Sequence, residues 1–323
     1  MSTYTQLTLE DRIKISVLMQ EGFAQRGIAE QIGKSPSTVS RELSRNRVEV
    51  GYFYATAQIL ADSRKIEATS MPRIDEETWE WVKGKLLLQW SPEQISNRIK
   101  IELEVSISHE KIYQFVKEDR DQGGLLYLNL RHGNRKRKKR FGGRDGYQGT
   151  IKNRVSIEER PEVINNRERI GDFEGDLIIG KDQQGKALTL VDRVSLLLKI
   201  EKLESKNAEH VAAIAIDSIK EVGRPVHSVT FDNGLEFAAH ESISLAADVK
   251  VYFAHPYSSY ERGTNENTNG LIRQYFPKKM NLSKIPLSEY EKVETLLNHR
   301  PRKKLGYLSP YEKHYGQAYS YFT

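Results

Sequence analysis

The sequence predicts a multidomain protein in which N-terminal all-α helix-turn-helix modules precede a C-terminal α/β domain. Three observations support this fold class. Apolar residues recur at helical spacing in the first part of the chain, whereas short apolar strands alternate with helical segments in the last part. A run of basic residues followed by glycines separates the two parts. The length of 323 residues is sufficient for two or three domains.

The composition excludes several classes of protein. Hydrophobic residues make up 38% and charged residues 29% of the chain, as is typical of globular proteins. No apolar run approaches the roughly 18 residues that a membrane-spanning helix needs, and no secretory signal pattern is present, so we expect a cytoplasmic protein. The absence of cysteine excludes disulfides, a thiol nucleophile and thiolate-bound zinc.

The first predicted helix begins at Thr8, a residue type that caps helices, and it carries acids in its first turn. Its apolar residues Ile13, Val17 and Leu18 predict a buried stripe. This helix opens a predicted DNA-binding domain over residues 1–60.

Residues 25–43 have the spacing of a helix-turn-helix. Gly33 permits a tight turn, Ser35 caps the second helix and Pro36 occupies its first position. The predicted interior consists of Ile28, Ala29, Ile32, Val39 and Leu43. Such a hairpin can serve only for packing, but the Ser-Pro cap and a polar exposed face favour DNA binding. The candidate DNA-reading residues on that face are Ser37, Thr38, Ser40, Arg41 and Arg45.

A second helical module, similar to a helix-turn-helix, is predicted over residues 61–130. Ser91 and Gln94 have the spacing of a capping box around Pro92, and Ser108 caps a further helix. Two short helices joined in this way form either a second DNA-binding hairpin or a packing module. The residues alone do not choose between these alternatives.

The positive charge of the chain is concentrated in a predicted basic linker over residues 131–165. The formal net charge is +6, yet residues 131–154 contain ten Lys or Arg and one Asp, which gives +9 and leaves −3 for the rest. The segment is either a solvated hinge or an arm that contacts DNA phosphates. We favour the arm, because hinges seldom need six consecutive positive charges. Its DNA-binding candidates are Arg135, Lys136, Arg137, Lys138, Lys139 and Arg140.

The C-terminal domain, predicted over residues 166–323, alternates strands with helices. The predicted strands cover residues 173–180, 187–191, 196–200, 226–231 and 249–253. Helical patterns follow at residues 208–222 and 262–276. This order predicts a mixed, layered α/β domain.

Three acids stand out by their positions: Asp176 in the first strand, Asp232 at the end of the fourth, and Glu266 on a late helix. Carboxylates from separate elements that converge at a sheet edge can hold two Mg²⁺ ions roughly 3.5–4 Å apart. Most acids are solvated surface groups, and Asp232 also precedes an Asn-Gly turn. Asp172 and Glu174 share the strand face of Asp176, so periodicity does not choose among the three.

Seven segments carry a family resemblance, at residues 90–95, 107–113, 154–161, 170–176, 230–237, 261–273 and 298–307. Together they resemble the transposases of the bacterial insertion-sequence-thirty family, a branch of the DDE transposase and retroviral integrase superfamily. Thirty-three residues separate Asp232 from Glu266, which is the spacing this family shows.

The resemblance implies an RNase H-like catalytic domain in which Asp176, Asp232 and Glu266 are the catalytic ligands of two Mg²⁺ ions, with Mn²⁺ as a substitute. It also implies that Arg273, on the helical face of Glu266, lies near substrate DNA. The implied function is a nucleoid-associated transposase that binds terminal inverted repeats and catalyses strand cleavage and transfer. Double-stranded DNA and further copies of the chain are the expected partners.

Two alternative functions remain at this point. One is a DNA-binding regulator with an idle catalytic domain, against which the intact set of three acids argues. The other is a nuclease of RNA–DNA hybrids, against which two major-groove readers argue, because they suit B-form duplex.

Overall fold

The structure, a computed structural model, describes residues 6–49, 51–69, 74–131, 151–256 and 258–317. The basic run at residues 135–140 therefore lies outside the described residues. The chain divides into two compact units, with the division between Glu76 and Glu77. Within the described ranges no helix is long and apolar enough to cross a membrane.

The described residues of the N-terminal unit form four helices. They are α1 (Leu9–Gln20), α2 (Gln25–Gln31), α3 (Pro36–Asn46) and α4 (Tyr54–Thr69). The predicted caps are confirmed: Thr8 accepts a hydrogen bond from the backbone N–H of Asp11, and Ser35 accepts one from that of Thr38. The predicted interior of the helix-turn-helix between α2 and α3 is buried or partly buried in one core. The boundary drawn after residue 60 falls within α4, which packs on α1 and α3.

The predicted buried stripe of α1 is wrong for two of its three residues. Ile13 and Val17 are exposed, whereas Ile15 is fully buried and Arg12 is nearly so. The reason is a polar contact: the Nε of Arg12 donates to Glu42 on α3 at 2.8 Å. This buried ion pair turns Arg12 toward α3, while Ile15 and the partly buried Leu18 keep the core side of α1 apolar.

The second unit begins with the helices α5 (Glu76–Leu87), α6 (Pro92–Glu102) and α7 (His109–Asp121). The capping box at Ser91 and the cap at Ser108 are confirmed. Helix α6 packs on a segment near the chain's C-terminal end, because Arg98 donates to both carboxylate oxygens of Glu312, at 2.5 and 2.8 Å. The side chain of Gln94 also donates to the carbonyl of Pro301 at 2.7 Å. Packing is thus one role of this module.

The rest of the unit is built around one five-stranded sheet. Its strands are β1 (Asp172–Ile179), β2 (Lys186–Asp192), β3 (Leu198–Leu203), β4 (Ser228–Phe231) and β5 (Lys250–Phe253), in the order β3-β2-β1-β4-β5. The pairs β1–β2 and β2–β3 are antiparallel, whereas β1–β4 and β4–β5 are parallel. The helices are α8 (Glu162–Asn165), α9 (Ala208–Lys220), α10 (His240–Ala247), α11 (Gly263–Tyr275), α12 (Leu287–Asn298) and α13 (Pro310–Tyr315).

Helices cover both faces of the sheet. Phe173 of β1 packs in a core with α9 and α10, whereas Ile178 packs in a second core with α11 and α12. Because side chains alternate along a strand, the acids of β1 lie on the α11 side. This strand order is the RNase H-like arrangement that the family resemblance implies. The predicted fold class, helical modules followed by an α/β domain, is confirmed.

Candidate active site

Neighbouring strands bring two of the predicted acids together. β1 and β4 run parallel, with Glu174 opposite Thr230 in the register. Continuing that register by two residues places Asp176 opposite Asp232, which directly follows β4. The side chains of Asp176 and Asp232 are 26% and 37% exposed, so both reach solvent at the sheet edge.

One guanidinium group lies between these two carboxylates. Nη1 of Arg262 is 3.4 Å from Oδ1 of Asp176, and its Nη2 is 3.1 Å from Oδ2 of Asp232. Nη1 also donates to the carbonyl of Gly175 at 3.0 Å. Arg262 is only 9% exposed, so the cation is held inside the site. The two acids thus share one positive partner.

The electrostatics of Asp176 reflect this crowding. Burial raises the pKa of Asp176, the Arg262 guanidinium opposes that rise, and the Asp232 carboxylate adds to it. A carboxylate with a raised pKa beside a second carboxylate gains from a bound cation, because the cation relieves both the burial and the repulsion. The carboxylate oxygens of Asp176 and Asp232 suit a hard divalent cation, and the position of Arg262 shows that a cation fits between them.

Helix α11 is attached to the acidic face of β1 by two asparagines. Nδ2 of Asn269 donates to Oδ2 of Asp176 at 2.8 Å. The backbone N–H of Asn265 donates to Glu174 at 2.9 Å, and its side-chain amide donates to the Glu174 carbonyl at 3.0 Å. Glu266 lies between the two asparagines and is exposed. The first turn of α11 therefore has a fixed position beside Asp176.

The structure does not gather Glu266 with the two aspartates into a preformed metal site. No group of three His, Asp or Glu side chains in the described part of the chain is arranged to hold a metal ion. Glu266 follows Arg262 by one helical turn, on the helix that contacts Asp176 through Asn269. Its role as a third ligand remains a proposal.

The two other acids of β1, Glu174 and Asp172, are buried and make hydrogen bonds within the protein. Glu174 is fully buried and accepts from Nη1 of Arg193 at 2.6 Å. Asp172 is buried as well, accepting from the hydroxyl of Ser228 at 2.6 Å and from Arg169 at 2.9 Å. These contacts distinguish both acids from Asp176, which sequence periodicity could not do.

Arg273 lies near the site, on the helix of Glu266. Its Nη2 donates to the carbonyl of Ile179 at 2.9 Å, at the end of β1. Burial lowers the pKa of Arg273, and the negative charge of Asp176 opposes that shift. The Arg273 guanidinium therefore lies close enough to Asp176 for their charges to interact.

The helix-turn-helix presents its candidate residues on one helix. Of the α3 residues, Ser37, Ser40, Arg41 and Arg45 are exposed, and Thr38 is half-buried. The hydroxyl groups of Ser37 and Thr38 lie 2.9 and 2.8 Å from that of Ser35, at the start of the helix.

A second basic cluster, at residues 300–304, is partly internal. Arg300 is 2% exposed, and its Nη2 donates to the hydroxyl of Tyr275 at 2.7 Å. Burial, together with the positive charge of Arg300, lowers the pKa of Arg302 to about 9. Only Lys303 and Lys304 in this cluster are fully exposed.

Arg262 and Asn265 are site residues that the sequence analysis did not select. Arg262 precedes Glu266 by four residues and Arg273 by eleven, so all three recur on one helical face. This spacing could have indicated from the sequence that Arg262 lies near the site. Asn265 carried no such signal, because its partner, Glu174, lies 91 residues away in sequence.

Comparisons with known proteins agree with this architecture. A helix-turn-helix domain family matches residues 3–46. The transposase for insertion sequence element IS4351 of Bacteroides fragilis is 42% identical over 309 residues, covering 95% of this chain and 94% of the relative. The transposase InsI for insertion sequence element IS30A of Escherichia coli K12 is 38% identical over 321 residues, covering 95% of this chain and 82% of the relative.

Two further comparisons extend the series. The transposase for insertion sequence element IS1086 of Cupriavidus metallidurans is 36% identical over 318 residues, covering 95% of this chain and 93% of the relative. The catalytic core domain of BIV integrase, a solved structure, has 18% identity and a TM-score of 0.36, covering 45% of this chain and 94% of that one.

The similarity to these relatives shows that the protein is a DNA-processing enzyme of the transposase type. The chain belongs to the insertion-sequence-thirty (IS30) family of transposases, as its identity to three members over nearly its whole length shows. The resemblance found in the sequence segments is confirmed.

Proposed function

We propose that the protein binds the terminal inverted repeats of its insertion sequence and catalyses Mg²⁺-dependent strand cleavage and strand transfer. The observation that carries this proposal is the pairing of Asp176 and Asp232 around one cationic group at the sheet edge. Carboxylates from separate elements that face a common cation are typical ligands of hard divalent metals. Membership of a transposase family supports DNA as the substrate.

In this proposal, Asp176, Asp232 and Glu266 are the catalytic residues and hold two Mg²⁺ ions, for which Mn²⁺ can substitute. When bound, such a metal pair activates a water or a 3′-hydroxyl and stabilises the leaving oxygen of an in-line phosphoryl transfer. Asn269 orients one ligand by donating to Asp176. The hydrogen bonds of Asn265 to Glu174 hold the first turn of α11, and with it Glu266, against β1.

Contacts to DNA are assigned to three parts of the chain. The exposed side chains of α3 read base edges and phosphates in the major groove. Arg273 contacts a phosphate near the reacting bond, since it lies two helical turns beyond Glu266. The arm at residues 135–140, which lies outside the described residues, supplies sequence-independent phosphate contacts.

The biological unit in this proposal contains at least two copies of the chain, because two element ends must be brought together for transposition. It acts on the DNA of the bacterial nucleoid, in the cytoplasm. The division into four domains, with boundaries near residues 60, 130 and 165, stays a prediction from the sequence.

The test uses Asp232→Ala in the full-length protein. We expect this variant to bind a terminal-repeat duplex with unchanged affinity and to lose Mg²⁺-dependent cleavage of the element end. The variant Asp217→Ala is the matched control, because Asp217 is an exposed acid of α9, on the opposite face of the sheet. It should cleave as the wild type does.

Each alternative has its own outcome in this assay. Cleavage by Asp232→Ala equal to that of the wild type would show that the acids are wrongly assigned. Repeat binding without any wild-type cleavage would favour a regulator. Faster cleavage of an RNA–DNA hybrid than of the repeat duplex would favour a nuclease of the hybrid type.

A further inference from the structure

We propose that Arg262 is a built-in counter-cation, which holds Asp176 and Asp232 together before metal binds and must leave them when metal binds. This inference deepens the proposed function and rests on it, because it assumes that the two aspartates are metal ligands. It assigns to Arg262 control over how tightly, and in which conformation, the site takes up a divalent cation.

The Arg262 guanidinium fills the space between the two carboxylates. The guanidinium spans the two carboxylates, with separations of 3.4 Å to Asp176 and 3.1 Å to Asp232, and a hydrogen bond of 3.0 Å to the Gly175 carbonyl. These contacts occupy Oδ1 of Asp176 and Oδ2 of Asp232. A cation that both carboxylates are to ligate must enter the same space. A divalent cation held by both carboxylates would therefore compete with the guanidinium for this space.

The positive charge of Arg262 balances the negative charges of Asp176 and Asp232. Two carboxylates on adjacent strands repel each other, and one of them is largely buried, so the arrangement is unfavourable without a positive partner. Arg262 supplies that partner within the chain itself. A divalent cation supplies more charge at the same place, so the arginine is needed in the metal-free protein and dispensable in the metal-bound one.

The side chain of Arg262 keeps one buried hydrogen-bond donor without a partner in the described part of the chain. Although the residue is 91% buried, its Nε has no hydrogen-bond partner among the described residues. A buried donor without a partner is unfavourable, because it has lost its hydrogen bonds to water. The position of Arg262 thus carries a local penalty, which is relieved when the side chain moves out of the site.

Arg262 lies at the start of the helix that carries Glu266. It ends a short 3₁₀ turn, Ser259–Arg262, and immediately precedes α11. Glu266 follows by one helical turn. Movement of the arginine away from the aspartates therefore acts on the backbone segment that leads into the helix carrying the third proposed ligand, and this couples metal entry to the position of that ligand.

The experiment measures binding of Mn²⁺ alone, without DNA, to the full-length protein by electron paramagnetic resonance of the free ion. We expect Arg262→Gln to bind Mn²⁺ about tenfold more tightly than the wild type, which corresponds to about 1.4 kcal/mol. Arg262→Lys keeps the charge but loses the fork of two donors, so its affinity should lie between the two. If the glutamine variant does not fold, the lysine variant provides the same comparison.

Thermal unfolding with and without Mn²⁺ separates this role from a purely structural one. Arg262→Gln should melt below the wild type in the presence of a chelator, and Mn²⁺ should close most of that gap. The matched control is Arg169→Gln, which removes an arginine from another β1 acid, Asp172. Its melting temperature should fall equally in both conditions, and its Mn²⁺ affinity should not change.

Two results would overturn the inference. One is an unchanged Mn²⁺ affinity in both Arg262 variants, and the other is a loss of stability that Mn²⁺ does not reduce. Failure of the underlying proposal looks different: Asp232→Asn would then bind Mn²⁺ as tightly as the wild type does, which would show that the aspartates are not metal ligands.

Discussion

The substitution Glu174→Gln tests whether the acids of β1 are correctly divided between structure and chemistry. Glu174 is fully buried, and its partner Arg193 is 5% exposed, with 2.6 Å between Oε1 and Nη1. Glutamine preserves the size of the side chain but removes the negative charge that pairs with the buried Arg193 cation. Breaking a buried pair in this way costs about 3–5 kcal/mol. The negative charges of Asp172 and Asp192 also act on Arg193, so we expect the lower end of this range.

A loss of about 3 kcal/mol in a unit of this size lowers the melting temperature by roughly 6–12 °C. Far-UV circular dichroism during heating measures this shift. The matched control is Asp176→Asn, for which we expect a loss of less than about 1 kcal/mol, because Asp176 is partly exposed and burial already disfavours its charged form. Equal losses in the two variants, or a melting temperature of Glu174→Gln within about 2 °C of the wild type, would refute the reasoning.

Three further predictions concern other parts of the chain. Burial alone would raise the pKa of Glu312, but the hydrogen bond from Arg98 holds that pKa below its ordinary value. The pair therefore stabilises the protein fully above the ordinary pKa of a glutamate, and its contribution disappears as the pH falls through the lower folded-state pKa. Urea midpoints measured against pH should show this loss in the wild type and not in Glu312→Gln. In Gly175→Ala, the new Cβ would lie 2.2 Å from a ring carbon of Phe231, so stability should fall by about 1–3 kcal/mol in thermal melts, and an unchanged melting temperature would contradict the packing described. Arg45→Ala should weaken repeat binding and reduce the slope of log affinity against log salt by about 1 if Arg45 contacts a phosphate. Fluorescence anisotropy at several salt concentrations measures that slope, and an unchanged slope would exclude the contact.

Features that depend on neighbouring residues were predictable from the sequence. The caps at Thr8, Ser35, Ser91 and Ser108 involve a side chain and a backbone group three residues away, so each is visible in a short window. The strands of the sheet were predictable for a similar reason, because alternation and apolar runs are local patterns. The order of the five strands and of helices α9 and α11 along the C-terminal domain is as expected, whereas α12 and α13 were not predicted.

Features that depend on distant partners were not predictable. The buried contact of Arg12 in α1 is with Glu42, 30 residues later, and two of the three apolar residues predicted to be buried in that helix, Ile13 and Val17, are exposed. The internal partners of the other β1 acids, Arg193 among them, are visible only in the fold, because a period of two treats all three acids alike; only the family resemblance indicated Asp176. The pairing of Asp176 with Asp232 requires the parallel register of β1 and β4, which no single segment encodes.

The contact of α6 with Glu312 has a consequence for the order of folding during synthesis. Arg98 and Glu312 are 214 residues apart, so the partner of α6 does not exist when the helix leaves the ribosome. At about 5–20 residues per second, the wait is on the order of ten to forty seconds. The second helical module must therefore remain undocked while the whole sheet is made. The contact between Arg98 and Glu312 can form only after α13 has been synthesised, so a chain that stops before α13 cannot complete it.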